Sequence, residues 1–154
     1  MLNSAMLNRA FFLAALVLLA GCLETIAADW QTDYGRALEM AKAQNKRVLL
    51  DFTGSDWCPP CIALRKQVFS RPEFRAYADK NLILVEVDYP QRKKQSAELK
   101  AQNEKLAAQY GIEEKGFPTI MLLDPAGKVV REFTGYEGEP ASEIIAWIEG
   151  KTKK

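Results

Sequence analysis

The chain has three cysteines and no histidine, so any catalysis starts from thiols. Cys58 and Cys61 stand two residues apart in Trp57-Cys58-Pro59-Pro60-Cys61. At that spacing two cysteines can close a small disulfide and reopen it with little backbone movement. Upstream, Val48-Leu49-Leu50-Asp51-Phe52 is a short apolar run holding one acid, the pattern of a buried strand. Downstream, residues 62–69 place apolar side chains at helical spacing. A CxxC between a strand and a helix is a redox arrangement. The helix start turns N–H groups and a partial positive charge toward the first sulfur, which favours the thiolate of an exposed Cys58.

Two other uses of the pair stay open, a static structural disulfide and half of a zinc site. Structural zinc takes four protein ligands, and there is no histidine or second cysteine pair to complete the set. A disulfide that closes so short a loop constrains little unfolded chain, so a static bond would add little stability. The missing histidine also removes Ser-His-Asp and Cys-His catalysis, and Ile62 after Cys61 removes a haem-attachment motif. No metal and no cofactor is expected. Asp51 is costly in a buried strand unless it has a partner or a raised pKa.

The N-terminus reads as a leader. Residues 1–9 carry a single charge, Arg9, and residues 10–20 are an eleven-residue apolar run. That run is too short for an ordinary transmembrane helix and suits a signal-peptide core. Leu19-Ala20-Gly21-Cys22 resembles the lipobox of bacterial lipoproteins, which implies cleavage before Cys22 and a lipid on its sulfur. The alternative is ordinary secretory cleavage nearer Ala27 or Ala28. Both routes export the protein, and an acylated Cys22 would hold it at a membrane surface. The expected plan is a leader at 1–21, a short linker at 22–29 and one domain at 30–154. Its 154 residues, 48% of them hydrophobic, suit a single core once the leader is gone. From Cys22 onward 20 bases face 20 acids, so a nucleic-acid partner has no electrostatic basis.

The elements that position the cysteines follow from patterning. Thr32 or Asp33 caps a first helix to about Asn45, with Tyr34, Ala37, Leu38 and Ala41 on one face. A strand at Arg47–Thr53 leads through Gly54-Ser55-Asp56 into the CxxC helix. Ser70-Arg71 caps a helix that opens on Pro72 and runs to about Lys80. Leu82–Asp88 is a strand buried on both faces. Residues 91–110 read as one long helix with a solvated charged face, ending at Gly111. Thr119–Leu123 and 128–134 form a hairpin about Asp124-Pro125-Ala126-Gly127. Pro140 and Ser142 introduce a last helix to about Glu149, and 151–154 is a frayed basic tip. Alternating strand and helix, then a hairpin and a closing helix, implies a mixed sheet covered on both faces.

In this arrangement residues 30–150 resemble the thioredoxin family. Three features carry the resemblance: Trp57-Cys58-Pro59-Pro60-Cys61 after a strand, Asp51-Phe52 within that strand, and Gly116-Phe117-Pro118-Thr119 before the third strand. It implies an α/β, thioredoxin-like three-layer fold, a mixed central sheet with helices on both faces. It also implies that Trp57 is a lid beside the sulfur and that Pro118 is cis and packs on the sulfurs. Phe117 would pair its backbone with an extended substrate. Asp51 would match the family's buried acid. The chain departs from the family in four ways. The loop from Asp51 to Cys58 is one residue longer than in ordinary thioredoxin. Leu84-Val85-Glu86-Val87 occupies the region where a lysine often accompanies the buried acid. Phe117 replaces a smaller residue, and Pro59-Pro60 is a dipeptide of tryparedoxin-like and some bacterial envelope thioredoxins.

The implied activity is thiol–disulfide exchange by an exported oxidoreductase of the bacterial periplasm or envelope. Cys58 attacks a substrate disulfide, and the more buried Cys61, with help from Asp51, resolves the mixed disulfide. The implied partners are disulfide- or thiol-containing envelope proteins, a membrane electron-donor thiol reductase and, through a lipid on Cys22, the membrane surface. The same residues run in reverse would make a disulfide donor or isomerase. Two further classes are a binding module with a permanently closed disulfide and a Cu(I) carrier.

Overall fold

The computed structural model describes residues 29–152. The leader, Cys22 and the linker up to residue 28 lie outside the described residues, as do Lys153 and Lys154. Three apolar runs form strands where their composition predicts: β1 (Arg47–Thr53), β2 (Leu82–Asp88) and β3 (Thr119–Leu123). β4 (Val129–Thr134) returns beside β3, while Lys128 stays in the turn and donates its N–H to Asp124. The sheet order is β2-β1-β3-β4. β1 and β2 are parallel, while β1–β3 and β3–β4 are antiparallel. The central strands are buried along nearly their whole length, which is why they read as continuous apolar runs.

Strand alternation divides the core into two layers. Leu49, Leu84, Ile120, Leu122 and Phe133 pack on one face against Leu64, Phe69, Phe74 and Trp147. Leu50, Phe52, Val85, Met121 and Leu123 pack on the other against Ala37, Ala41, Leu106 and Ile112. On the first face Asp51 follows Leu49 along β1, and Glu86 and Asp88 follow Leu84 along β2.

The helices are α1 (Tyr34–Gln44), α2 (Pro59–Leu64), α3 (Pro72–Asn81), α4 (Ala97–Tyr110), α5 (Ile112–Lys115) and α6 (Ala141–Ile148). Asp33 caps α1 by accepting the Arg36 N–H at 2.9 Å. Three details differ from the patterning. α2 does not continue as a plain α-helix; at Arg65 it widens into a π segment, Arg65–Phe69, closed by the Ser70 N–H on the Arg65 carbonyl. The residue before Pro72 is Arg71, which caps α3 without a side-chain bond, so Ser70 is not its cap. The helix expected over 91–110 begins only at Ala97, where Ser96 accepts the Leu99 N–H. The N–H groups of Gln91, Arg92 and Lys93 all go to Asp56, and that anchorage holds the segment out of the helix. The short α5 has too few residues for a periodic signal.

Among the described residues no helix is long and apolar enough to cross a membrane. Trp147 is 2% exposed and meets Phe133 edge-on at 5.7 Å between ring centroids, closing the first core layer. Replacing Trp147 with Ala is expected to lower unfolding stability by about 3–5 kcal/mol, measured as a shift of the urea midpoint with an unchanged slope.

Candidate active site at the CxxC loop

Cys58 is the N-cap of α2, extended at φ −93° and ψ 105°. Pro59 and Pro60 follow at the helix start, where backbone N–H groups have no partner within the helix, so proline costs no hydrogen bond there. Cys58 and Cys61 are joined as a disulfide with Cα atoms 5.3 Å apart, and the Cys61 N–H lies 3.3 Å from the Cys58 sulfur. That N–H is the donor available to a Cys58 thiolate once the bond opens. The expected contrast in burial is absent: Cys58 and Cys61 are both 3% exposed. The N–H groups of Trp57 and Cys58 both bond the Gly54 carbonyl, a turn that closes the loop directly before the pair.

Trp57 is held by its indole N–H, which donates to the Tyr89 carbonyl at 2.7 Å. Its ring meets Phe117 edge-on at 5.8 Å, and Tyr89 contacts the same Phe117 ring at 5.2 Å. The Phe117–Pro118 peptide bond is cis, and the Pro118 carbonyl accepts the Gly135 N–H. Gly54 is required by the Trp57 ring, because a Cβ there would lie 2.5 Å from it.

Asp51 is 2% exposed, and its Oδ1 is a buried side-chain atom without a hydrogen-bond partner. Burial pushes its carboxyl up to about 8. The Arg65 cation works against this shift, and Glu86 and Asp88 add to it. Arg65 is therefore the cation that acts on Asp51, in a chain whose second strand has no lysine at Leu84-Val85-Glu86-Val87. It reaches the acid from the helix side, ion-paired to Glu86. A cleft of about 390 Å³ opens beside Cys61, lined also by Thr53, Arg65, Glu86, Asp88 and Lys93.

Several of these residues escaped the sequence reading. Asp56 anchors the 91–93 backbone, and the Gln91 N–H above all holds its carboxyl below the usual range. Asp88 takes the Ser55 N–H and hydroxyl, joining the CxxC loop to the end of β2. Buried Asn103 donates to the Asp88 carbonyl from α4. The available signal was Arg65, placed one helical turn after Cys61.

A family model described as a thioredoxin-like domain matches residues 34–151. The chain is 36% identical over 125 residues to the disulfide bond reductase DsbH of Chlamydia pneumoniae, covering 81% of this chain and 73% of that protein. It is 30% identical over 115 residues to the thioredoxin-related protein DsbJ of the same organism, covering 75% of this chain but only 32% of the relative. The solved structure of a DsbH oxidoreductase superposes with a TM-score of 0.72 at 34% identity, over 86% of this chain and 91% of that one.

Two consequences can be measured. Between about pH 4 and 8 the unfolded chain gives up the Asp51 proton while the folded one keeps it, so stability falls as pH rises through that window. Asp51→Asn should flatten this slope and raise the stability of the oxidised protein at pH 8 by on the order of 2–4 kcal/mol, read from urea unfolding at several pH values. Gly54→Ala should drive the indole off the Tyr89 carbonyl, shift tryptophan emission to the red and slow disulfide exchange several-fold.

Proposed function

The chain belongs to the thioredoxin-like family, and we propose that this thiol–disulfide oxidoreductase works as an exported reductase of envelope protein disulfides. The observation that carries the exchange chemistry is the Cys58–Cys61 pair at the start of α2, on the sheet face that holds the buried Asp51. The reducing direction is supported by the likeness to a protein named a disulfide bond reductase. Export rests on the leader at 1–21, and membrane anchorage rests on Cys22 in its lipobox.

In the reduced protein the Cys58 thiolate attacks one sulfur of a substrate disulfide. A Cys58–substrate bond forms, the substrate disulfide breaks, and the departing thiolate takes a proton from water. The Cys61 thiol then passes its proton to the Asp51 carboxylate, and the new thiolate attacks the Cys58 sulfur. The Cys58–Cys61 bond forms, the mixed disulfide breaks, and the second substrate thiolate leaves and is protonated. Two electrons have moved from the dithiol to the substrate. A membrane thiol reductase restores the dithiol by the same exchange in reverse.

A carboxyl titrating at about 8 suits this role, because it can accept a proton and release it near neutral pH. Trp57, Phe117 and Pro118 form the substrate edge. An extended segment carrying the target disulfide would lie along the Phe117 backbone, against the Trp57 and Tyr89 rings. Cys58→Ser should abolish reduction, and Cys61→Ser should accumulate mixed disulfides through Cys58, seen as thiol-sensitive adducts on non-reducing gels. Equilibration of the purified protein with glutathione mixtures should give a potential near or below about −230 mV. A value above roughly −180 mV would reverse the proposed direction.

A further inference from the structure

Arg65 links the helix that carries the cysteines to the strand beside the buried acid. Its N–H bonds the carbonyls of Cys61 and Ile62 at the point where α2 widens into the π segment. Its guanidinium lies 5.0 Å from the centre of the Trp30 ring and donates to Glu86 Oε1. Glu86 is the register partner of Asp51 across the parallel β1–β2 pair, so the two carboxyls project from the same sheet face. Arg65 and Glu86 also line the cleft beside Cys61. The pair is partly open to water, with side-chain exposures of 41% and 22%, and an ion pair so exposed adds little to stability.

The charges around Asp51 come from few directions. β2 presents Glu86 and Asp88, the π segment presents Arg65, and α2 presents the two cysteines. From β3 the register partner is Ile120, which carries no charge. Lys66 and Lys93 stand with Arg65 in the cleft wall. We propose that Arg65 and Glu86 are positioning residues for exchange: their bridge sets the charge that Asp51 meets when it takes the Cys61 proton, and it lines the cleft through which that proton leaves. This rests on the reading of Asp51 as the base for Cys61. The two members act with opposite sign. Without Arg65, Asp51 faces two carboxylates and holds its proton more tightly. Without Glu86, Arg65 is free to turn to Asp51, which then ionises more readily. Removing both returns the acid toward its starting balance.

The test follows the two phases in which the reduced protein releases chromophore from an aromatic disulfide, the second being the attack of Cys61 on the mixed disulfide. In Arg65→Met the midpoint of the second phase against pH should move up, slowing that phase about tenfold at pH 7 for each unit moved. In Glu86→Gln it should move down, and the double variant should lie between them. Arg65→Lys, which keeps the charge, should hold the profile closer to that of the unaltered protein than Arg65→Met does, and Arg65→Gln is the charge-removing variant if Arg65→Met does not fold. Shifts of the same sign, or a lower thermal midpoint with the profile in place, would overturn the positioning role. Asp51→Asn tests the underlying reading separately. If the second-phase inflection survives in that variant, Asp51 is not the base. If it vanishes while the Arg65 and Glu86 variants keep the profile of the unaltered protein, only the role of the bridge is lost.

Discussion

A carboxyl group buried in the central strand, on the face against which the CxxC helix packs, is the constraint that organises this molecule. Asp51 sits in the central strand with one oxygen unpartnered, where an ionised group is held at a steep desolvation cost. An apolar residue at that position would be the stabilising choice, because Leu49 and Ile120 beside it already form a packed layer. The strand instead keeps an acid whose proton comes and goes near neutral pH. The balance depends on burial raising the pKa and on one cation, Arg65, opposing it. Glu86 and Asp88 keep that cation from dominating. Such a balance needs fixed geometry, and the in-register parallel pairing of Asp51 with Glu86 provides it.

The upper wall of the site is built by the same economy of contacts. The 89–95 segment carries no regular structure, yet several of its polar groups are tied to the CxxC loop or the end of β2. Asp56 takes three of its N–H groups, the Tyr89 carbonyl takes the Trp57 indole, and Gln95 returns to the Asp88 carbonyl. The rings of Trp57, Phe117 and Tyr89 then meet in one cluster. Trp57 is therefore held both by the segment that follows β2 and by the turn at Gly54. Charge-assisted bonds from a carboxylate to backbone donors are among the stronger polar contacts available to an exposed turn.

What could be read from the sequence divides along the same line. β1, β2 and β3 were legible because a strand buried on both faces is a local statement, an unbroken apolar run between turn residues. The CxxC and its neighbouring helix were legible for the same reason. Asp51 stood out as an acid inside such a run. The long helix over 91–110 was misread at its start because helix-forming composition is also local, whereas the Asp56 carboxylate that claims the first donors is 35 to 37 residues away. The equal burial of Cys58 and Cys61 was illegible too, since burial is set by three-dimensional packing and not by the CxxC spacing. Arg65 and Glu86 looked like two ordinary charges. Only the π segment and the strand register bring them together across 21 residues.

The position of the cation matters as much as its charge. A lysine on the second strand would share the sheet with the acid and be indifferent to the state of the cysteines. Arg65 belongs to the helix that carries them, with its N–H on the Cys61 carbonyl and its side chain spanning to Glu86. The charge that acts on Asp51 and the two cysteines therefore ride on one continuous helical stretch. The guanidinium suits this span better than an ammonium: it lies against the Trp30 ring while donating to Glu86, two fixed contacts that a compact, strongly hydrated lysine head makes less well. What the fold supplies is one positive charge, acting from the helix side on a buried carboxyl.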